Sequence, residues 1–126
     1  MRGRLCFSTV SLRPEDLFRA LCDDTRLRCL LLIQLEGEVC VCELTHALGE
    51  IQPKISRHLG ILREAGVVAD RRQGQWVYYR LHPDLPEWAR EVLAAALRGA
   101  EGEEPYATDR EGLACMPGRP GQRCSA

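Results

Sequence analysis

The amino-acid sequence predicts a mainly α-helical domain carrying one β-hairpin, in the order ααα(turn)αββα. Three observations predict it. Two short helical patterns, one opening at Val41 and one at Pro53, are separated by little more than Glu50, Ile51 and Gln52, which leaves room only for a tight turn. The apolar period then changes from 3.6 to two between Val67 and Leu81. Upstream lies a leucine-rich segment with little polar surface, the pattern of a buried central helix. Together these describe a winged helix-turn-helix.

Each element has a local cause. Pro14 suits the first turn of a helix, and Leu17, Phe18 and Leu21 recur at spacings of three and four to give it one apolar face, ending at Cys22. Asp23 or Asp24 can cap the core helix, in which Leu27, Leu30, Leu31, Leu32, Ile33 and Leu35 run to a stop at Gly37. In the third helix Val41, Leu44 and Leu48 share a face before Gly49. The fourth groups Ile51, Ile55, Leu59 and Leu62 in a narrow arc, leaves Arg57, Gly60 and Glu64 opposite, and ends at Gly66. Val67 to Arg71 and Trp76 to Leu81 read as the hairpin strands, with Gln73-Gly74 at the tip. A last helix starts near Asp84 to Pro86 and runs to Arg98, with Leu85, Ala89, Val92, Leu93 and Ala96 as its buried stripe. The organisation expected is an N-terminal arm over 1–11, the domain over 12–98, and a tail over 99–126 whose Gly, Pro and acidic residues predict disorder.

The bulk composition permits one core: 126 residues, 45% apolar and 28% charged. A net charge of −1 gives no global argument for nucleic acid, but the charge is unevenly placed. Six Lys/Arg face two acids from Ile51 to Arg80, whereas five acids face three Arg from Glu101 onward. No segment approaches the apolar length of a membrane span, and the early apolar run is broken at Ser8, Thr9 and Ser11. A reducing cytoplasm is therefore expected, where seven cysteines, an odd number, serve as thiols or ligands rather than as a disulfide framework.

A helix that enters the major groove needs an apolar inner face and hydrogen-bonding groups near its N-terminal end. Gln52, Lys54, Ser56 and Arg57 meet that need, and Arg71, Arg72 and Arg80 on the hairpin would add phosphate contacts. The competing reading is a solvated charged face. It does not account for a tight two-helix turn followed by a basic hairpin. His58, at the edge of the apolar arc, reads as a packing or capping residue.

Cys40 and Cys42 form the second constellation. On a regular helix, residues two apart point about 200° apart and cannot grip one ion; in an extended or unwound helix start both sulfurs converge. Ligation of a soft ion there is expected to favour a deformed first turn and a conformer that no longer matches DNA. Cys22 and Cys29 read as small buried hydrophobes. Cys22 to Arg28 also matches the spacing of phosphatase-like loops. It has no glycine, includes Asp23 and Asp24, and leads straight into a leucine-rich helix, so an enzyme is not expected.

Over VCVCELTHALGEIQPKISRHLGILREAG, RRQGQWVYYRL and PEWA, with LCDDTRLRCLLLI upstream, the chain closely resembles the arsenic-responsive repressors of the ArsR/SmtB family, from about Pro14 to Arg98. The resemblance implies a homodimer formed by the first and last helices, bound to double-stranded operator DNA and released by arsenite or antimonite. It assigns Cys40 and Cys42 as metalloid ligands and puts Gln52, Ser56 and Arg57 in the DNA-reading helix. One departure matters: where such repressors often carry a third cysteine, this chain has Thr45. Cys6, Cys115 or Cys124, or a small cellular thiol, would have to complete the site. His46 suits zinc better than arsenite, and the last helix has neither His nor Cys for a zinc site. Cadmium-, lead- or zinc-responsive repression, redox-responsive repression and a protein-binding winged helix stay open as alternatives.

Overall fold

The computed structural model describes residues 12–119. Its order is α1 (Pro14–Leu21), α2 (Asp24–Glu36), β1 (Val39–Cys40), α3 (Val41–Leu48), α4 (Gln52–Glu64), β2 (Val68–Gln73), β3 (Trp76–Leu81), α5 (Glu87–Ala100) and α6 (Tyr106–Ala114). The predicted winged helix-turn-helix is therefore present, with one strand and one helix more than the sequence reading supplied.

The caps act where the sequence put them. The Asp23 side chain accepts a hydrogen bond from the Arg26 backbone N–H at 3.0 Å, opening α2. Gly49 ends α3 in the left-handed region at φ 67°, which a side chain would resist. From α2, Cys29, Leu30, Leu32 and Ile33 form the centre of the core; Leu17 and Ala20 pack on it from α1, Leu44 and Leu48 from α3, and Ile55, Leu59 and Leu62 from α4. Val39, Val67, Val68, Tyr79, Leu85, Ala89, Leu93 and Leu113 complete it.

Three details differ from expectation. Ile51 precedes α4 and is 67% exposed, so the apolar arc begins at Ile55. Cys22, expected in the core, is exposed, whereas Cys29 is fully buried. Val39–Cys40 forms a strand that pairs antiparallel with β3, Val39 opposite Tyr79 and Cys40 opposite Tyr78. The sheet order is β1-β3-β2, so the hairpin is anchored on the segment that enters the helix-turn-helix. Two residues are too few to show a period, and the strand was invisible for that reason.

The C-terminal segment requires a correction. Disorder was expected over 99–126; instead α6 packs on α3 and α2, with Leu113 in the core. What holds it is mostly charge. Arg28 donates to both carboxylate oxygens of the buried Asp109, at 2.7 and 2.8 Å. Beyond the helix, the buried Arg119 pairs with Glu36 at 2.6 Å and with Glu43. A hydropathy reading registers such residues as solvated, although paired and hydrogen-bonded charges can be buried.

Candidate thiol centre and nucleic-acid interface

The candidate thiol centre begins with backbone geometry. Cys40 lies just before α3 with extended dihedrals, φ −90° and ψ 163°, because it belongs to β1; Cys42 sits in the first turn of α3. The 200° separation that a helix would impose therefore does not apply. The two Sγ atoms are 2.9 Å apart, far beyond a disulfide bond length, and both thiols are free. Convergence needs no unwinding of the first turn, since strand pairing supplies the extended residue. The expected deformation of α3 is thus replaced by a ready-made pair.

Glu43 organises this corner. One of its oxygens accepts from the Cys40 backbone N–H at 2.8 Å, closing the N-terminus of α3, while the other faces Arg119. Burial pushes the Cys40 thiol up to about 12, with the Cys42 side chain adding to the rise, so the neutral thiol is the resting form. Thr45 donates to the Val41 carbonyl at 2.9 Å and is occupied as a local helix contact. His46 is exposed.

Of the third-ligand candidates, Cys115 caps α6 and is exposed; Cys6 and Cys124 lie outside the described residues. Among the described residues no three His, Cys, Asp or Glu side chains form a group that could hold a metal ion, so Cys115 is not brought to the pair. Glu43 and Arg119 are the residues that sequence reasoning missed. Glu43 had a signal, an acid three residues after a helix-capping position. Arg119, 76 positions away, had none.

The candidate nucleic-acid interface lies on α4 and the hairpin. Gln52, Ser56 and Arg57 are exposed along α4, while Lys54 is half-buried and pairs with Glu50 at 3.1 Å. Arg72 is exposed on β2. Arg71 is engaged: Glu38 receives two hydrogen bonds from its guanidinium at 2.7 Å, and the group lies 4.6 Å from the Tyr78 ring centroid. A phosphate would have to draw it from Glu38. Behind α4 the buried His58 takes a hydrogen bond at Nδ1 from Arg26 at 3.2 Å. An arginine N–H only donates, so Nδ1 accepts and the imidazole is neutral; the Asp23 carboxylate 3.7 Å away is then no ion-pair partner.

Comparison with known proteins identifies the family and the fold. Residues 23–70, from the cap of α2 into the hairpin, match the family model described as "Bacterial regulatory protein, arsR family". The arsenic resistance transcriptional regulator ArsR1 of Pseudomonas putida is 55% identical over 109 residues, covering 86% of this chain and 84% of that protein. The chain belongs to the arsR family. Among solved structures, the AntR antimony-specific transcriptional repressor is similar at a TM-score of 0.59 and 25% identity, covering 79% of this chain and 95% of that one. The homodimeric winged helix-turn-helix DNA-binding domain of Mb0332 from Mycobacterium bovis is similar at a TM-score of 0.57 and 29% identity, over 69% and 77% of the two chains. This arsR-family chain is a winged helix-turn-helix transcription regulator, and no helix among its described residues is long and apolar enough to cross a membrane.

Proposed function

We propose that this arsR-family regulator is a repressor that binds operator DNA as a homodimer and releases it when arsenite or antimonite is captured by Cys40 and Cys42. The observation that carries the reading is the 2.9 Å approach of two free thiols where β1 becomes α3. Soft thiolates select soft ions, and the names of the similar proteins point to arsenic and antimony. Gln52, Ser56 and Arg57 then read base edges, while Lys54, Arg71 and Arg72 hold phosphates.

The placement also supplies the coupling. Two sulfurs bonded to one ion at about 2.3 Å, with roughly 90–110° between the bonds, lie roughly 3.3–3.8 Å apart. Capture must therefore open the pair. The opening pulls on β1, which is paired to the hairpin through Tyr78 and Tyr79, and on α3, which packs against α4. Both DNA-contacting elements are thus attached to the sulfurs through secondary structure. A roughly 100-fold loss of operator affinity needs a differential preference of only about 2.7 kcal/mol. The test is an operator titration by fluorescence anisotropy with arsenite, antimonite, cadmium, lead and zinc in turn. Release by the two metalloids at the lowest concentrations is expected; release by zinc alone, or by none, contradicts the reading.

A further inference from the structure

The turn of the helix-turn-helix carries a side chain that folding alone does not account for. Ile51 is 67% exposed, more than any other large apolar side chain among the described residues, and it occupies the N-cap of α4. We propose that Ile51 is a specificity-determining residue that packs against the 5-methyl group of a thymine in the major groove; this rests on the reading of α4 as the helix that reads operator DNA.

Two costs meet at this one position. Ser, Thr, Asp and Asn are favoured at an N-cap because a side-chain oxygen can accept from the first free backbone N–H groups, and isoleucine has no such oxygen. Accordingly α4 has no side-chain cap hydrogen bond and no acid in its first turn, whereas α2 is capped by Asp23. An exposed β-branched side chain adds the second cost, because its apolar surface stays in water. The backbone itself is an ordinary cap: φ is −77°, ψ is 151°, and the Ile51 carbonyl accepts from the Ile55 N–H at 3.2 Å. A serine would suit the same geometry and solvate better. A single apolar residue on a surface needs no explanation by itself. This one breaks two local rules inside the candidate nucleic-acid interface, which is where a functional cause is expected.

The neighbours define what can cover it. Gln52 follows directly and Ser56 and Arg57 lie one turn on, all exposed. Glu50, the residue before, is paired with Lys54 at 3.1 Å, so its charge is offset. Residues at the N-terminal end of a recognition helix are the ones that reach base edges. Those edges present donors, acceptors and one apolar group, the thymine methyl. Isoleucine can neither donate nor accept through its side chain, so the base it distinguishes is thymine, by methyl burial in place of hydrogen bonding. Burying one methyl is worth about fourfold in affinity per half-site, or roughly fifteenfold over two.

The experiment uses the full chain, fully reduced and free of metalloid. The probes are duplexes that the unsubstituted protein enriches from a randomised pool, with each thymine replaced in turn by deoxyuridine, which removes the methyl and keeps the base pairing. Anisotropy titration is expected to find one thymine per half-site whose replacement weakens binding about fourfold, and roughly fifteenfold when both half-sites are changed. Ile51→Ser should bind the thymine and deoxyuridine duplexes equally, and Ile51→Val should keep most of the difference. Ile51→Ser should also unfold at a urea concentration no lower than the unsubstituted protein, since serine caps the helix that isoleucine leaves uncapped. A lower urea midpoint would make Ile51 a packing residue and overturn the assignment. Methyl dependence retained in Ile51→Ser, or no methyl-dependent thymine in the unsubstituted protein, overturns it while leaving operator binding intact. A pool from which the unsubstituted protein enriches no sequence overturns the operator-binding reading, and the assignment with it.

Discussion

Glu43 is 1% exposed and carries a charge, which is tolerable only because Arg119 and the Cys40 N–H both face it. Glu43→Gln keeps an acceptor for the N–H but removes the buried carboxylate charge that faces Arg119, and is expected to cost about 3 kcal/mol in urea unfolding. His58 gives a pH signature. Burial, and secondarily the cationic Arg57, Arg26 and Lys54, lower its proton affinity against the opposing pull of Asp23. Because the unfolded chain then takes up the proton first, the stability due to neutral His58 is complete above about 6.5 and is lost as pH falls below it toward the lowered folded value. Melting temperature followed downward from pH 7.5 should show this drop, and His58→Gln should flatten it. The pairing of Cys40 with Cys42, the Thr45 departure and the packing role of His58 were legible because each is a matter of residue type at a local spacing. Arg119 was not, because its meaning depends on a partner 76 positions away.

At the scale of elements, α4 separates its tasks by face: Ile55, Leu59 and Leu62 are fully buried while Gln52, Ser56 and Arg57 meet solvent. Arg57→Ala is expected to cost about 1–3 kcal/mol of operator binding and to relax preference at one base pair, whereas Arg72→Ala should weaken all sequences alike and lower the salt slope by about one. For α6 the governing contact is Arg28 with Asp109. Asp109→Ala should destabilise the protein by about 3 kcal/mol and speed hydrogen exchange in α6 ahead of α2. The seven longer helical and strand patterns were readable because apolar periodicity reports burial directly. The two missed elements fail that condition in different ways: β1 is too short to have a period, and α6 contributes Leu113 to the core but is otherwise held by charges.

Across the whole molecule, strand order is the feature through which the proposed sensing would be coupled to DNA binding. Because β1 pairs with β3 rather than standing alone, Cys40 and the hairpin share a sheet, and because Cys42 lies in α3, the other sulfur belongs to the helix-turn-helix. The cysteine pair and the helix-turn-helix are neighbours along the chain, and the sheet joins Cys40 to the hairpin directly. In a homodimer, a small shift in each protomer would change the spacing between two recognition helices, and affinity for a two-fold operator is sensitive to that spacing. The central claim is that this pair of sulfurs, and not another thiol, converts arsenite into DNA release. The direct measurement is fluorescence anisotropy of the preformed operator complex as arsenite is added to the unsubstituted protein, Cys40→Ser and Cys42→Ser. The account expects anisotropy to collapse for the unsubstituted protein and to hold for both variants; a variant complex that still dissociates over the same arsenite range contradicts it.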